Sequence, residues 1–257
     1  MNNYIQKEFY IEKKVTTAEQ AITEMLGLRR EGFYSFRGHR QENWKLGPHH
    51  LPHKGKYDVM EDNRLQFVKH CRQFNNFLFK EEDYWETLFF AQHHGLKTRL
   101  LDWTSNPLVA LYFAVCDVLT ADANDQETFG CVWAIKVKKD RWLEPTDLPG
   151  YGGIKTTNWQ LGKWTMINPP LVTDRLIRQS GKFSYHPGDS DLDLSEQELE
   201  KDEVLVKIRI DNNLDNQNPT KEIREQLGIM NIHHASLFPD SDGVARFINS
   251  QWRPIAR

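Results

Sequence analysis

The segment from Leu100 to Leu119 restricts the possible folds more than any other part of the sequence. It begins as a strand and turns into a helix start, where Thr104, Ser105 or Asn106 can cap the exposed backbone amides. Pro107 suits the first helical turn, because its φ is already helical and it has no N–H to leave unsatisfied. The apolar residues after it recur at helical spacing: Leu108, Leu111, Tyr112, Val115 and Leu119. The segment therefore predicts a strand that passes directly into a buried helix.

Strand and helix patterns follow one another irregularly along the rest of the chain. Apolar spacing predicts helices over 17–30, 65–78, 85–95 and about 218–228, and a last helix from Asp240 or Ser241. Short apolar or alternating runs predict strands over 33–37, 131–137 and 204–210. Because no regular strand–helix–strand repeat is present, the sequence favours an α+β fold. We expect a single domain over 1–257, with a mixed, mainly antiparallel sheet flanked by helices.

The composition is that of a folded protein without a membrane span. Of the 257 residues, 39% are hydrophobic and 12% are aromatic, which argues against disorder. No run approaches the ~18 apolar residues of a membrane helix, and residues 1–14 lack the apolar core of a secretory signal. Cys71, Cys116 and Cys131 each lie in an apolar run, so we expect buried free thiols. These features predict a soluble cytoplasmic protein that does not associate with membranes.

Proline and glycine are concentrated between Glu144 and Pro170. Proline removes backbone donors and glycine widens the allowed dihedral angles, so this stretch predicts a long loop. Several tryptophans and a tyrosine in the same region argue that the loop is ordered. We therefore expect residues 142–170 to form an insertion or a flap.

Charge and motifs exclude several classes of enzyme. The net charge is only −3, although residues 29–56 contain seven Lys or Arg and two Glu, an excess that would favour an anion in a cleft. The sequence has no phosphate-binding loop, dinucleotide-binding glycine pattern, paired cysteine motif or esterase elbow. His49, His50 and His53 have no nearby acid or thiolate, so no metal site is predicted.

Three polar stretches interrupt the apolar pattern. Arg37 ends a strand just before Gly38, and a buried guanidinium there needs a phosphate, a carboxylate ligand or a structural acid such as Asp102. Residues 92–105 lead into a helix start, whose amides favour an anion unless the polar side chains only cap the helix. Residues 178–183 form either part of a site or an ordinary turn.

These stretches resemble the FRG domain, a family named for its Phe-Arg-Gly motif. The similar segments are 34–38, 92–114 and 178–183, with a further likeness over 227–229 and 237–243. The resemblance covers roughly residues 15–250. It implies a bacterial or phage-related protein with a role in anti-phage defence or as a toxin, and it does not define a reaction.

A more distant similarity is to the mono-ADP-ribosyltransferases. The residues that carry it occur in the order of that family: Phe36-Arg37-Gly38, Thr104-Ser105 before a buried helix, and Glu203 before Val-Leu. The resemblance implies that Arg37 holds the pyrophosphate of NAD and that Thr104 or Ser105 supports the nicotinamide ribose. It also implies that Glu203 stabilises the oxocarbenium ion that develops as the glycosidic bond breaks.

Three functions remain open at this point. The leading hypothesis is an ADP-ribosyltransferase-like fold and an enzyme that uses NAD, either to modify a macromolecule or to hydrolyse the cofactor. The second is a protein that binds or cleaves nucleic acid, with Arg37, His93, Arg99 and Gln179 on phosphate and His93 as general base. The third is a noncatalytic recognition module in which Arg37 and Asp102 form a structural ion pair.

The candidate site is defined by two overlapping sets of residues, and its target is a protein or a nucleic acid. The candidate catalytic residues are Arg37, His93, Asp102, Gln179 and Glu203. The candidate NAD-binding residues are Arg37, Gly38, Arg99, Thr104 and Ser105.

Overall fold

A computed structural model gives the fold of this chain. It describes residues 4–33, 35–48, 57–74, 79–80, 83–116, 129–148, 163–170, 173–187, 193–212, 215 and 219–251. The strands are β1 (Tyr4–Gln6), β2 (Ile11–Val15), β3 (Ser35–His39), β4 (Leu100–Thr104), β5 (Cys131–Lys136), β6 (Trp142–Leu143), β7 (Thr165–Ile167), β8 (Gly181–Tyr185) and β9 (Val204–Ile210). The α-helices are α1 (Ala18–Arg30), α2 (Tyr57–Cys71), α3 (Tyr84–His93), α4 (Pro107–Val115), α5 (Asp174–Arg178), α6 (Thr220–Ile229), α7 (His234–Leu237) and α8 (Ser241–Gln251).

The described strands form one sheet in the order β1-β2-β9-β5-β3-β4-β8-β7-β6. All neighbours are antiparallel except β2 with β9 and β6 with β7, which are parallel. The expected mixed fold with a mainly antiparallel sheet is therefore confirmed. Strand β9 lies between β2 and β5, and most of its residues are buried whichever face they point to, as expected for an interior strand.

Helices cover one face of the sheet. Helices α1, α4 and α6 contact one another and pack on the apolar residues that β3, β5 and β9 direct to this face, such as Phe36, Val132 and Ile208. Helix α3 lies beside them, against Leu100 and Phe183. The alternate residues of the same strands, together with Trp164 and other loop residues, form a second core on the opposite face. Side chains alternate along each strand, so the sheet is buried on both faces.

The junction of β3 and β4 is the irregular point of the sheet. Strand β3 pairs with β5 at five positions, and β4 pairs with β8 at five, but β3 and β4 pair only at Phe36 and Thr104 over their described length. Beyond that rung the two strands separate. Gly38 lies at the separation, where the backbone of α4 approaches so closely that a Cβ atom on Gly38 would stand 2.0 Å from the Ala110 carbonyl oxygen.

Most of the expected elements are present, with shifted ends. The strand expected over 204–210 has those limits, and Asn106 caps α4 by accepting a hydrogen bond from the Leu108 amide at 3.0 Å. Helix α2 ends at Cys71, before the predicted limit of 78, and residues 75–78 lie outside the described residues. Of the expected insertion, residues 142–143 and 165–167 form β6 and β7, whereas 149–162 lie outside the described residues. Its role as a flap stays a prediction.

The three cysteines and the membrane prediction can also be placed. All three thiols are free; Cys116 and Cys131 are buried, whereas Cys71 is only partly so. Within the described residues, no helix has the length and apolar character needed to cross a bilayer.

Candidate functional site

A cavity of about 420 Å³ lies where β3 and β4 separate. Residues from both strands line it, together with residues of α3, α4, α5, α7 and α8. Its charged lining consists of Arg37, Arg40, Arg175, Arg246 and Asp102. Its aromatic lining includes Trp44, Phe89, Trp103, Phe113, Phe183 and Phe238. A concave site of this size, with more cations than anions and with aromatic walls, suits an anionic ligand that carries a ring.

The guanidinium of Arg37 bridges the gap between the two strands. Its Nε donates to Nε2 of His39 at 3.0 Å, and its Nη1 donates to the Asp102 carbonyl oxygen at 2.7 Å. The side chain is 16% exposed, and its nearest acid is the Asp102 carboxylate at 3.9 Å. Burial lowers the pKa of Arg37, and the Asp102 charge opposes that shift. Within the described residues Nη2 has no hydrogen-bond partner, so the fixed guanidinium keeps N–H donors for a ligand.

The carboxylate of Asp102 is held by a short chain of hydrogen bonds. Its Oδ2 accepts from Nε2 of Gln92 at 2.9 Å, and Oε1 of Gln92 accepts from the Thr98 hydroxyl at 2.7 Å. The Thr98 hydroxyl oxygen itself accepts from the Leu100 amide at 3.0 Å. The orientation of the Gln92 amide is therefore determined by its partners. The Asp102 side chain is 57% exposed, and it is the one acid among the described residues that line the cavity.

His93 and Gln179 also line the cavity. Burial, and next the charge of Arg175, lower the pKa of His93 to about 4, so its imidazole is neutral near pH 7. Its Nδ1 lies 3.5 Å from the Thr173 hydroxyl. Gln179 uses Nε2 to donate to the Leu237 carbonyl oxygen at 3.1 Å. This bond connects the end of α5 to α7.

The turn between α5 and β8 is tied to the start of α4 by Thr104 and Ser105. The Thr104 hydroxyl donates to the Gln179 carbonyl oxygen at 2.6 Å, and the Ser105 amide donates to the Ser180 carbonyl oxygen at 2.9 Å. Thr104 lines the cavity, whereas Ser105 does not. Gly38 lines it as well and permits the close approach of α4.

Glu203 lies outside the cavity. Its carboxylate, which is 0% exposed, accepts two hydrogen bonds from the Arg141 guanidinium, at 2.6 and 2.8 Å. Along the paired strands, Arg37 stands opposite Trp133, and Trp133 opposite Lys207. Glu203 precedes Lys207 by four residues, which corresponds to ~13 Å along β9. Glu203 is therefore bound by Arg141 and lies far from Arg37, although the order of these residues in the sequence resembles that of ADP-ribosyltransferases.

Arg99 is also separate from the cavity. It is buried beside a pocket of only about 20 Å³ that Glu61, Tyr84 and Lys97 share. Of the four residues that the nucleic-acid hypothesis places on phosphate, Arg37, His93 and Gln179 line the cavity and Arg99 does not. No group of three or more His, Cys, Asp or Glu side chains suited to a metal occurs among the described residues, and His49, His50 and His53 lie outside them.

Several cavity residues were missed by the sequence analysis. Arg175 donates from Nη1 to the His93 carbonyl oxygen at 3.3 Å, and its guanidinium lies 4.4 Å from the Phe238 ring centre. The ring of His234 stacks on Phe238 at 4.2 Å, and its Nδ1 lies 3.0 Å from the Tyr112 hydroxyl. Only tertiary packing brings these residues together, and no local pattern marked them.

A buried polar chain lies on the opposite face from α4. The indole of Trp103 donates to the Ser184 hydroxyl at 2.8 Å, and that hydroxyl lies 2.7 Å from Nε2 of His186. Because an indole can only donate, the Ser184 proton points to His186, which is neutral. Burial, and next the charge of Arg37, lower the pKa of His186 to about 3.

Acidification is expected to destabilise the protein through His186. The unfolded imidazole gains its proton near pH 6.5, but the folded one stays neutral down to about pH 3, so the unfolded state binds more protons between these values. The contribution of His186 to the free energy of unfolding is therefore complete above pH 6.5 and is smaller by ~2 kcal/mol near pH 5. Urea unfolding near pH 7 and pH 5 measures this loss. In His186→Gln the loss should be smaller by about that amount, and an equal loss in both proteins contradicts the assignment.

Comparison with known proteins identifies one domain. The FRG domain model matches residues 33–123, a stretch that includes Arg37, Gly38, Gln92, His93 and Asp102. No curated protein and no solved structure matches the chain. The matched stretch contains β3, α2, α3, β4 and α4, and so contributes the strand junction at which the cavity lies. Residues 33–123 therefore match the FRG domain, and the arginine and glycine of the Phe-Arg-Gly motif in this stretch line the cavity.

Proposed function

We propose that this protein is an ADP-ribosyltransferase-like enzyme that binds NAD in the cavity between β3 and β4. It would transfer ADP-ribose to a protein or nucleic acid, or hydrolyse NAD, in anti-phage defence or as a toxin. One observation carries the proposal: the Arg37 guanidinium, fixed by two hydrogen bonds, faces a cavity with four arginines and one acid. The pyrophosphate of NAD supplies negative charge, and its two rings suit the aromatic walls.

The chemistry requires a carboxylate near the sugar. As the bond to nicotinamide breaks, positive charge develops on the ribose, and a fixed negative group lowers the barrier. Glu203 is bound to Arg141 and lies outside the cavity, so we assign this role to Asp102. Gln92 orients its Oδ2, while Oδ1 has no hydrogen-bond partner within the described residues.

Incubation with labelled NAD and cell lysate tests the proposal. We expect nicotinamide release or label transfer, and Asp102→Asn should lower the rate by ~10²–10³-fold with the fold unchanged by circular dichroism. Arg37→Gln should lose activity in the same way. Arg178→Gln is the matched control, because Arg178 is an exposed residue of α5 that does not line the cavity.

Two results would count against it. Absence of nicotinamide release and of label transfer, in lysates of infected as well as uninfected bacteria, contradicts the NAD hypothesis. Unfolding of Arg37→Gln would instead support a noncatalytic module in which Arg37 joins β3 to the Asp102 backbone.

A second candidate is a nucleic-acid enzyme, which the neutral state of His93 favours. A neutral imidazole can accept a proton, and it shares the cavity with Arg37 and Gln179. This function predicts binding of RNA or DNA that weakens steeply with added salt, because phosphate contacts release counterions. An affinity that does not change with salt excludes it.

A further inference from the structure

Arg175 is a half-buried cation whose contacts leave its charge unneutralised. One nitrogen donates to the His93 carbonyl oxygen, and the guanidinium lies against the Phe238 ring. Within the described residues no carboxylate lies within 4.0 Å of it. A carbonyl and a ring face orient a guanidinium without cancelling its charge. The side chain is therefore placed firmly at the cavity wall and remains positive.

Arg37, on β3, also lines this cavity and has its charge only partly balanced. Its two hydrogen bonds go to neutral groups, the His39 ring and the Asp102 carbonyl, and the carboxylate of Asp102 is 3.9 Å away. The largely exposed Asp102 carboxylate acts on both guanidiniums, and Asp240 acts on Arg175 as well. Burial lowers the pKa of both arginines, and Asp102 is the first charge that opposes the shift in each case. Both cations are therefore costly to bury without an anion between them.

We propose that Arg37 and Arg175 together bind one phosphate or pyrophosphate group of the ligand. Guanidinium groups match phosphate oxygens with paired N–H donors, and two of them require an anion with oxygens on more than one side. A carboxylate offers a single planar edge, whereas a phosphate offers oxygens in several directions. Arg40 and Arg246, the other two cations of the lining, are exposed and add positive charge at its rim. The inference deepens the proposed function and rests on it only in placing the ligand in this cavity.

A purely structural role for Arg175 is the competing explanation. Its bond to the His93 carbonyl connects α5 to α3, and that link could be its whole contribution. Such a role predicts that removing the side chain lowers stability and changes anion affinity only as the fold is lost. A binding role predicts the opposite, because removing an unneutralised buried cation costs little without ligand.

Titration calorimetry with inorganic pyrophosphate and, separately, with ADP-ribose tests the inference. Arg37→Gln and Arg175→Gln should each weaken pyrophosphate binding by ~10–100-fold. Arg178→Gln, on the same helix but outside the cavity, should change it by less than ~2-fold. If both side chains contact the same group, the double variant should lose less than the product of the two single losses. Thermal unfolding without ligand provides the stability control.

The outcomes separate this inference from the proposed function. Pyrophosphate binding that depends on Arg175, without turnover of NAD, supports the inference and contradicts the NAD enzyme. NAD turnover that is unchanged in Arg175→Gln overturns the inference but leaves the proposed function standing. If Arg175→Gln does not fold, Arg175→Lys keeps a charge and a donor for the His93 carbonyl; wild-type affinity in that variant overturns the inference. Failure of the wild type to bind pyrophosphate and ADP-ribose also overturns it.

Discussion

Replacing Gly38 with alanine is expected to lower the free energy of unfolding by at least ~3 kcal/mol. The added Cβ would stand 2.0 Å from the Ala110 carbonyl oxygen and 2.5 Å from the Ala114 nitrogen, both in the backbone of α4. A helix backbone cannot yield as a side-chain tip can, so α4 must move away from β3. Urea unfolding measures the change, and the cavity between β3 and β4, which Gly38 lines, should lose ligand affinity with it.

Gly27→Ala is the matched control for this prediction. Gly27 lies inside α1, and nothing stands within 4 Å of the position of its Cβ. Alanine loses less backbone entropy than glycine in a helix, so this variant should gain ~0.5–1 kcal/mol. If the free energy of unfolding of Gly38→Ala lies within ~1 kcal/mol of the wild-type value, α4 does not approach β3 as closely as described.

The second large effect is expected at Glu203. Glu203→Ala should cost ~3 kcal/mol, because the buried Arg141 then keeps only the more exposed Glu200 carboxylate, at 3.1 Å. Arg141 is 8% exposed and also donates to the Trp164 carbonyl oxygen at 3.1 Å, so it cannot turn to solvent without losing that bond. Thermal or urea unfolding measures the loss. The folded fraction should keep the anion affinity of the wild type, because Glu203 does not line the cavity.

Glu200→Ala provides the comparison, since Glu200 belongs to the same charged cluster. It contacts Lys138, Arg141 and Lys163 with its side chain 37% exposed, so its removal should cost much less stability than removal of Glu203. Loss of NAD turnover in Glu203→Ala while the protein remains folded would contradict the structural role. It would restore the role that the resemblance to ADP-ribosyltransferases implied.

Local patterns were sufficient to predict most elements and two parts of the site. The alternation along β9 and the Asn106-Pro107 start of α4 depend on neighbours within a few residues, and both are found as expected. Arg37 and Asp102 could be named because each is a charged residue beside an apolar run, where a polar side chain needs a specific partner. Their proximity then follows from the pairing of β3 with β4.

The rest depended on contacts between distant parts of the chain. Arg175 enters the site because α5 packs beside α3, and nothing in its own helix distinguishes it from Arg178. Glu203 was misplaced because its partner Arg141 is 62 residues away in sequence. Short motifs give the order of residues along the chain, whereas a site requires their distances in space. Those distances are set by sheet order, which local periodicity does not determine.

The single paired position between Phe36 and Thr104 divides the nine described strands into two parts. One part has five strands and ends in β3, and the other has four strands and begins with β4. Every other pairing between the described strands lies within one of these two parts. A change in the spacing of β3 and β4 would therefore break no ladder inside either part of the sheet.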